Sequence, residues 1–125
     1  EGMSEQSAKP ALTPGRNIAI KVPLYKWNET IAFYRDRVGL EVVRELDASI
    51  GFRFGEMTLW IDRVDHQSQV DVWLELFTSD PDGALDALGS PRRDELEPLT
   101  GVTGRWTSDP AGTVLLVRQP RPEET

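Results

Sequence analysis

The sequence predicts an α+β domain in which two tandem β-α-β-β-β modules form a curved mixed sheet around a cleft. The first observation is the order within Asn17–Val43: an alternating strand, an amphipathic helix that ends at a glycine, and a second strand. The second observation is that the same order returns after Asp71. Since 125 residues suffice for one core but not for two, we expect a single domain over 16–120, with modules at about 16–64 and 70–119.

The first module opens with a strand in which Ile18, Ile20 and Val22 share one face. A helix follows, and Gly39 is placed to end it in the left-handed conformation. Its apolar stripe consists of Trp27, Ile31, Tyr34 and Val38. Three further strands are predicted at Leu40–Val43, Ile50–Phe54 and Met57–Val64, with turns at Leu46–Ser49 and Gly55-Glu56.

The second module follows a polar linker at Asp65–Val70. Val70–Thr78 alternates as a strand should, and Asp80 and Pro81 are the N-cap and first residue of a short helix closed by Gly89. Three extended stretches complete this module: Asp94–Leu99, Gly104–Thr107 and Thr113–Arg118.

Both ends of the chain are polar and rich in Pro, so we expect residues 1–15 and the tail at 121–125 to lack fixed structure. Glu1 and Gly2 precede Met3 and are interpreted as remnants of a tag.

Composition excludes several function classes. A net charge of −7 and a pI near 4.7 argue against nucleic acid, which requires a basic face. No apolar run approaches the roughly 18 residues of a membrane span, so no membrane is expected. The absence of Cys excludes disulfides and thiolate chemistry. Together with the lack of a signal-peptide pattern, it predicts a cytoplasmic protein.

The predicted strands have two different faces. The positions that face the helices are aliphatic: Ile18, Ile20, Leu59, Ile61, Val72, Leu74, Leu115 and Val117. The opposite positions are mixed: Asn17, Lys21, Trp60, Asp62, Trp73, Glu75, Leu116 and Arg118. Two Trp among scattered charges are better suited to an aromatic-walled cavity than to a core. Against this, the two indoles could fill a cavity or a dimer interface, and the charges could simply be solvated.

Several short motifs occur in order within this duplicated plan: Phe33-Tyr34, Val38-Gly39-Leu40, and Asp109-Pro110-Ala111-Gly112 before the last strand. With them the chain resembles, over about 16–120, the vicinal-oxygen-chelate superfamily, which contains glyoxalase I, extradiol dioxygenases, fosfomycin-resistance enzymes and bleomycin-resistance proteins. The resemblance implies the paired-module fold and a homodimer.

Catalytic members of this superfamily hold a divalent metal at four strand positions, and carrying these over gives Asn17, Trp60, Trp73 and Leu116. Indole and leucine offer no lone pair, and one amide oxygen cannot retain a transition metal. We therefore expect no metal, no cofactor and no catalytic residue. A shift of two residues would bring in Asp62 with Asp71 or Glu75, which keeps a degenerate metal site open. His66, the single histidine, is interpreted as a solvated loop residue.

The leading hypothesis is a metal-free protein that binds a small molecule, sequestering a planar compound that could be cationic. The alternatives are a metal-dependent lyase, isomerase or dioxygenase with a shifted ligand set, and a dimeric interaction or regulatory module. Trp106 is added as a third aromatic wall. The predicted ligand residues are Asn17, Lys21, Trp60, Asp62, Trp73, Glu75, Trp106, Leu116 and Arg118.

Overall fold

The structure is a computed structural model that describes residues 11–124, and the chain forms two compact units. The first unit is Arg16–Trp73, and the second consists of residues 11–15 and 74–124. The strands are β1 Thr13–Pro23, β2 Val42–Leu46, β3 Ser49–Phe54, β4 Met57–Val64, β5 Asp71–Phe77, β6 Gly104–Ser108 and β7 Val114–Arg118. The helices are α1 Leu24–Ala32, which continues as a π-helix over Phe33–Val38, and α2 Pro81–Leu88. This confirms the α+β fold class.

The sheet of the first unit is mixed, with the order β2-β3-β4-β1. β2, β3 and β4 are antiparallel neighbours, whereas β1 runs parallel to β4. The parallel register places Ala19 opposite Trp60 and Lys21 opposite Asp62. Polar residues of β1 and β4 therefore share one face of this sheet.

The core of the first unit lies on the other face, under α1. Its buried residues are Val22, Ile31, Ile50, Phe52, Leu59 and Ile61, with Ile18, Ile20, Trp27 and Tyr34 packed against them. This confirms the predicted helix-facing positions of β1 and β4. Val38 is 51% exposed and lies outside the core. The reason is the π-helix, in which each turn holds more than 3.6 residues, so the residue four positions after Tyr34 leaves the apolar stripe.

Both helices end where the sequence predicts. Gly39 and Gly89 are left-handed, with φ of 85° and 67°, and each closes its helix. The side chain of Asp80 accepts a hydrogen bond of 3.1 Å from the Gly83 N–H, and Pro81 follows as the first helical residue. Among the described residues, no helix is long and apolar enough to cross a membrane.

In the second unit, the strand order is β5-β7-β6, and β6 and β7 are antiparallel. Ala84 and Leu85 of α2 pack on Val117, with Leu12, Leu76 and Leu115 around them. Val72 and Leu74 were predicted to be covered by a helix, yet they are 41% and 39% exposed. An eight-residue helix is only about 12 Å long, so within the second unit α2 reaches Leu76 but leaves Leu74 uncovered.

The predicted strand at Asp94–Leu99 is wrong, because residues 91–103 form turns and irregular backbone. The Leu96 N–H bonds to the Arg93 carbonyl as in a turn, while Arg93 itself pairs with Trp106. Pro98 lies within the predicted strand and cannot donate a hydrogen bond to a strand ladder, and Pro91 precedes it. The second module is therefore β-α-β-β.

The ends of the described chain also differ from expectation. β1 begins at Thr13, within the predicted lead-in, and Pro122–Glu124 of the predicted tail forms a 3₁₀ turn. The Glu124 carboxylate, held by Arg118, fixes that turn. The rest of the lead-in, including Glu1 and Gly2, and Thr125 lie outside the described residues.

Candidate functional site

The first unit brings five of the predicted ligand residues together on the polar face of its sheet. We call them the aromatic cluster: Asn17, Lys21, Trp60, Asp62 and Trp73. β1 supplies Asn17 and Lys21, which alternate with the core residues Ile18 and Ile20. The cluster therefore follows from strand alternation and from the register between β1 and β4.

Lys21 is the centre of this cluster. Its Nζ lies 2.7 Å from the Asp62 carboxylate and 4.1 Å from the centroid of the Trp73 ring. The two charged side chains are only 11% and 17% exposed, so each loses much of its hydration. The carboxylate and the indole together replace water around the ammonium, which places a cation against an aromatic face.

Trp60 is held flat against the sheet by two neighbours. Its Nε1 donates a hydrogen bond of 2.8 Å to Asn17 Oδ1, and Gly51 of β3 lies opposite it. A Cβ added at Gly51 would meet the Trp60 ring at 3.1 Å, so the glycine leaves the space that the ring fills. Trp73 is oriented in a similar way, because its Nε1 donates to Asp71 at 3.0 Å. Both indoles are fixed through their N–H groups and keep partly exposed rings.

The residues of this face do not fit the divalent metal of the catalytic superfamily members. Asn17 Oδ1 accepts the Trp60 N–H, so two of the four carried-over positions are bonded to each other, and an indole N–H only donates. In the shifted ligand set, the Asp62 carboxylate is bonded to the Lys21 ammonium, which competes with a metal ion for its oxygen atoms. Within residues 11–124, no three His, Cys, Asp or Glu side chains are grouped to hold a metal ion.

The remaining predicted ligand residues lie in the second unit. Trp106 and Leu116 are directly opposite each other on β6 and β7. Trp106 donates from Nε1 to the Glu97 carbonyl at 2.7 Å and lines a cavity of about 460 Å³ together with Arg105 and Leu99. His66 is exposed in a turn after β4, as predicted for a loop histidine.

Glu75 and Arg118 are bonded to each other, with 2.8 Å between Arg118 Nε and Glu75 Oε2. Sequence reasoning missed the third member of this group, Glu124, whose carboxylate accepts from both terminal nitrogens of Arg118 at 2.9 and 2.6 Å. The guanidinium lowers the pKa of Glu124 to about 2 and has its own pKa raised by that carboxylate. The available signal was weak: an arginine on a strand needs a carboxylate if it is buried, but burial is not visible in the sequence.

No family model and no curated protein matches the chain. Solved structures do resemble it. The Mn(II)-bound glyoxalase from Novosphingobium aromaticivorans matches 88% of this chain and 40% of its own, at 19% identity and a TM-score of 0.62. The H200N variant of homoprotocatechuate 2,3-dioxygenase from B. fuscum, in complex with HPCA, matches 89% of this chain and 33% of its own, at 19% identity and a TM-score of 0.61.

The native homoprotocatechuate 2,3-dioxygenase from Arthrobacter globiformis matches 89% of this chain and 37% of its own, at 22% identity and a TM-score of 0.58. The chain thus spans between a third and two-fifths of the length of these structures. At such identities the comparison establishes the fold, while the chemistry depends on the residues of each site.

Proposed function

We propose that this chain, whose fold is that of the vicinal-oxygen-chelate superfamily, is a metal-free protein that binds a small molecule. Its ligand would be a planar compound able to carry a positive charge, held by the aromatic cluster. The observation that carries the proposal is the contact of 4.1 Å between Lys21 Nζ and the Trp73 ring. The Asp62 carboxylate, 2.7 Å away, neutralises this ammonium, and the partly exposed ring of Trp73 would attract a planar cationic ligand in the same way as it attracts Lys21.

The donor chemistry of the face also favours binding over metal catalysis. The resemblance assigns Trp60 and Trp73 to two of the positions at which catalytic members hold their ion, and indoles stack on flat molecules but do not coordinate metals. Asp62 is bonded to Lys21, and Glu75 is bonded to Arg118. Nothing in this donor set supports a reaction step, so affinity alone would be the activity.

The test compares wild-type protein with the Trp60→Ala, Trp73→Ala and double variants. Proflavine, a planar cation, is titrated against each, and fluorescein serves as the planar anionic comparison. Each ring is expected to contribute about 1 kcal/mol, so the double variant should bind proflavine about thirtyfold more weakly. Trp106→Ala is the matched control, because this Trp donates to the Glu97 carbonyl and lines a cavity with Arg105 and Leu99, and the variant should bind as the wild type does.

Equal proflavine affinity in the wild type and in a folded double variant would refute the proposal. The solved structures with a similar fold include a Mn(II)-bound enzyme, which keeps a metal-dependent lyase, isomerase or dioxygenase as the second candidate. Near-stoichiometric Mn, Fe, Ni or Zn in the purified protein would favour that enzyme. As a further part of the proposal, we expect a homodimer, and light scattering at the mass of one chain would contradict it.

A further inference from the structure

Arg118 of the second unit is buried and its guanidinium is held in a fixed orientation, as in arginines that bind ligands. It is the last residue of β7, and its side chain is only 3% exposed. Glu75 on the neighbouring β5 accepts from Nε at 2.8 Å, and the Phe77 ring centroid lies 4.9 Å from the guanidinium carbon. Because these contacts come from the sheet, the guanidinium is oriented before anything binds its terminal nitrogens.

Glu124 occupies those terminal nitrogens. Its Oε1 lies 2.9 Å from Nη1, and its Oε2 lies 2.6 Å from Nη2, which makes the pair bidentate. The backbone N–H of Arg121 donates a further bond of 2.8 Å to Oε1. A planar guanidinium binds a free carboxylate with the same two-bond geometry.

The carboxylate that fills this site does not belong to the sheet. It comes from the 3₁₀ turn Pro122–Glu124, in which Pro122 and Glu123 are exposed. A three-residue turn forms few bonds of its own, so its geometry depends on what anchors it. The turn therefore depends on the bond between Glu124 and Arg118, whereas the guanidinium is also held by Glu75 and Phe77 of β5.

A cavity large enough for a small molecule shares Arg121 with this site. A cavity of about 430 Å³ is lined by Gly101, Val102, Thr103, Gln119, Pro120 and Arg121. This volume is in the range of ligand pockets, and Arg121 adds a second cation to it. Arg121 belongs both to this cavity and, through its N–H, to the Glu124 site, so the two share one residue.

We propose that the terminal nitrogens of Arg118 and the Arg121 N–H form a binding site for a small-molecule carboxylate, and that Glu124 occupies it as an internal competitor. A ligand carboxylate replaces Glu124 and displaces the turn Pro122–Glu124. The site lies in the second unit and is independent of the function proposed for Trp60 and Trp73.

This competition lowers the apparent affinity of the site by the fraction of time for which Glu124 leaves it open. The Glu124→Gln variant replaces a charged acceptor by a neutral amide, which binds a guanidinium more weakly. The variant should therefore bind a free carboxylate at least about tenfold more tightly than the wild type does. Glu123→Gln, with its exposed side chain in the same turn, is the matched control and should leave the affinity unchanged.

The experiment titrates benzoate into full-length wild type, Glu124→Gln and Glu123→Gln, and follows the NMR signals of the Arg118 Nε–H and the Arg121 amide. Benzamide has the same shape without the charge and should cause no saturable shift. Inorganic phosphate should bind more weakly than benzoate, because the two nitrogens match a planar carboxylate. Tighter binding of phosphate would overturn the assignment to carboxylates.

Equal benzoate affinity in wild type and Glu124→Gln would overturn the proposal, as would saturable shifts confined to other residues. If Glu124→Gln does not fold, the wild-type titration decides. Benzoate well above the millimolar effective concentration of a short tether should then shift both reporter signals, and their failure to move refutes the site. Neither result affects the test on Trp60 and Trp73, which uses proflavine.

Discussion

Lys21 and Asp62 show how single residues determine the character of the polar face. Each is largely removed from water, and each is tolerated because the other lies 2.7 Å away. Losing one partner of such a pair leaves the other charge uncompensated, which costs more than the pair contributes. The pair therefore constrains what can be substituted on this face.

Replacing Lys21 by Met should destabilise the protein by about 2–3 kcal/mol, since Asp62 loses its counterion and Trp73 its cation. Unfolding in urea measures the free energy of unfolding of each variant. Lys26→Met is the control, because Lys26 is 53% exposed and its ion pair with Glu29 is 3.5 Å long, so the cost should stay below about 0.5 kcal/mol. The Lys21→Met/Asp62→Leu double variant should recover part of the loss. A cost for Lys21→Met as small as that of the control would contradict this account.

For individual residues, the sequence predicts which face of the sheet a side chain lies on, but not which partner it bonds to. Alternation placed Asn17, Lys21 and Trp60 together correctly, because strand geometry fixes the face of each side chain. It could not identify the bonds, since Lys21 and Asp62 are 41 positions apart and meet through a parallel register that local pattern does not encode. The bond from Arg118 to Glu124 was missed because it depends on burial.

At the scale of elements, the pairing of β6 with β7 depends on one close approach. Gly104 lies opposite Arg118, and a Cβ there would come within 2.7 Å of Arg118 Cβ and 2.9 Å of the Val117 carbonyl oxygen. These atoms belong to or adjoin the backbone and cannot rotate away. A glycine at this position is therefore a requirement for the present distance between the two strands.

The Gly104→Ala variant should separate β6 from β7 and destabilise the protein by about 1–3 kcal/mol, the range for overpacking. Thermal unfolding, followed by circular dichroism, measures the decrease in the midpoint temperature of unfolding. Gly51→Ala is the matched comparison, because its nearest contacts are side-chain atoms at 3.1 Å, which can move. We expect the smaller effect there. If both variants unfold at the same temperature, the close approach at Gly104 does not determine how much stability an added Cβ costs.

Elements with local signals were predictable and elements without them were not. Gly39, Asp80 and Pro81 act within one helical turn, so the sequence alone places both helix ends. The π-helix over Phe33–Val38 was not predictable, because the apolar residues in this part of the sequence have the spacing of an ordinary α-helix. Asp94–Leu99 has the length of a strand, but a strand exists only where a neighbour accepts its hydrogen bonds.

On the scale of the whole molecule, the negative charge of the acidic residues is partly neutralised by ion pairs with specific arginines. The net charge is −7, and the carboxylates with the most depressed pKa values in the described chain, Asp82 and Glu124, both contact guanidinium groups. Arg105 and Arg92 lower the pKa of Asp82 to about 2. A depressed carboxylate pKa links stability to pH, because the unfolded chain binds the proton first.

Stability should therefore fall as the pH decreases from about 4.5 to about 2, and Glu124 should account for a separable part of the fall. Its folded pKa lies below its ordinary value of 4.5, so its contribution is fully present above that pH and is lost as the pH approaches 2. The measurement is the difference in unfolding free energy between wild type and Glu124→Gln from pH 6 to 2. Asp82 titrates in both proteins and cancels. The difference between wild type and Glu124→Gln should shrink on acidification. The control variant Glu123→Gln should show no such trend. A difference that stays constant with pH would mean that the ion pair between Glu124 and Arg118 does not stabilise the fold.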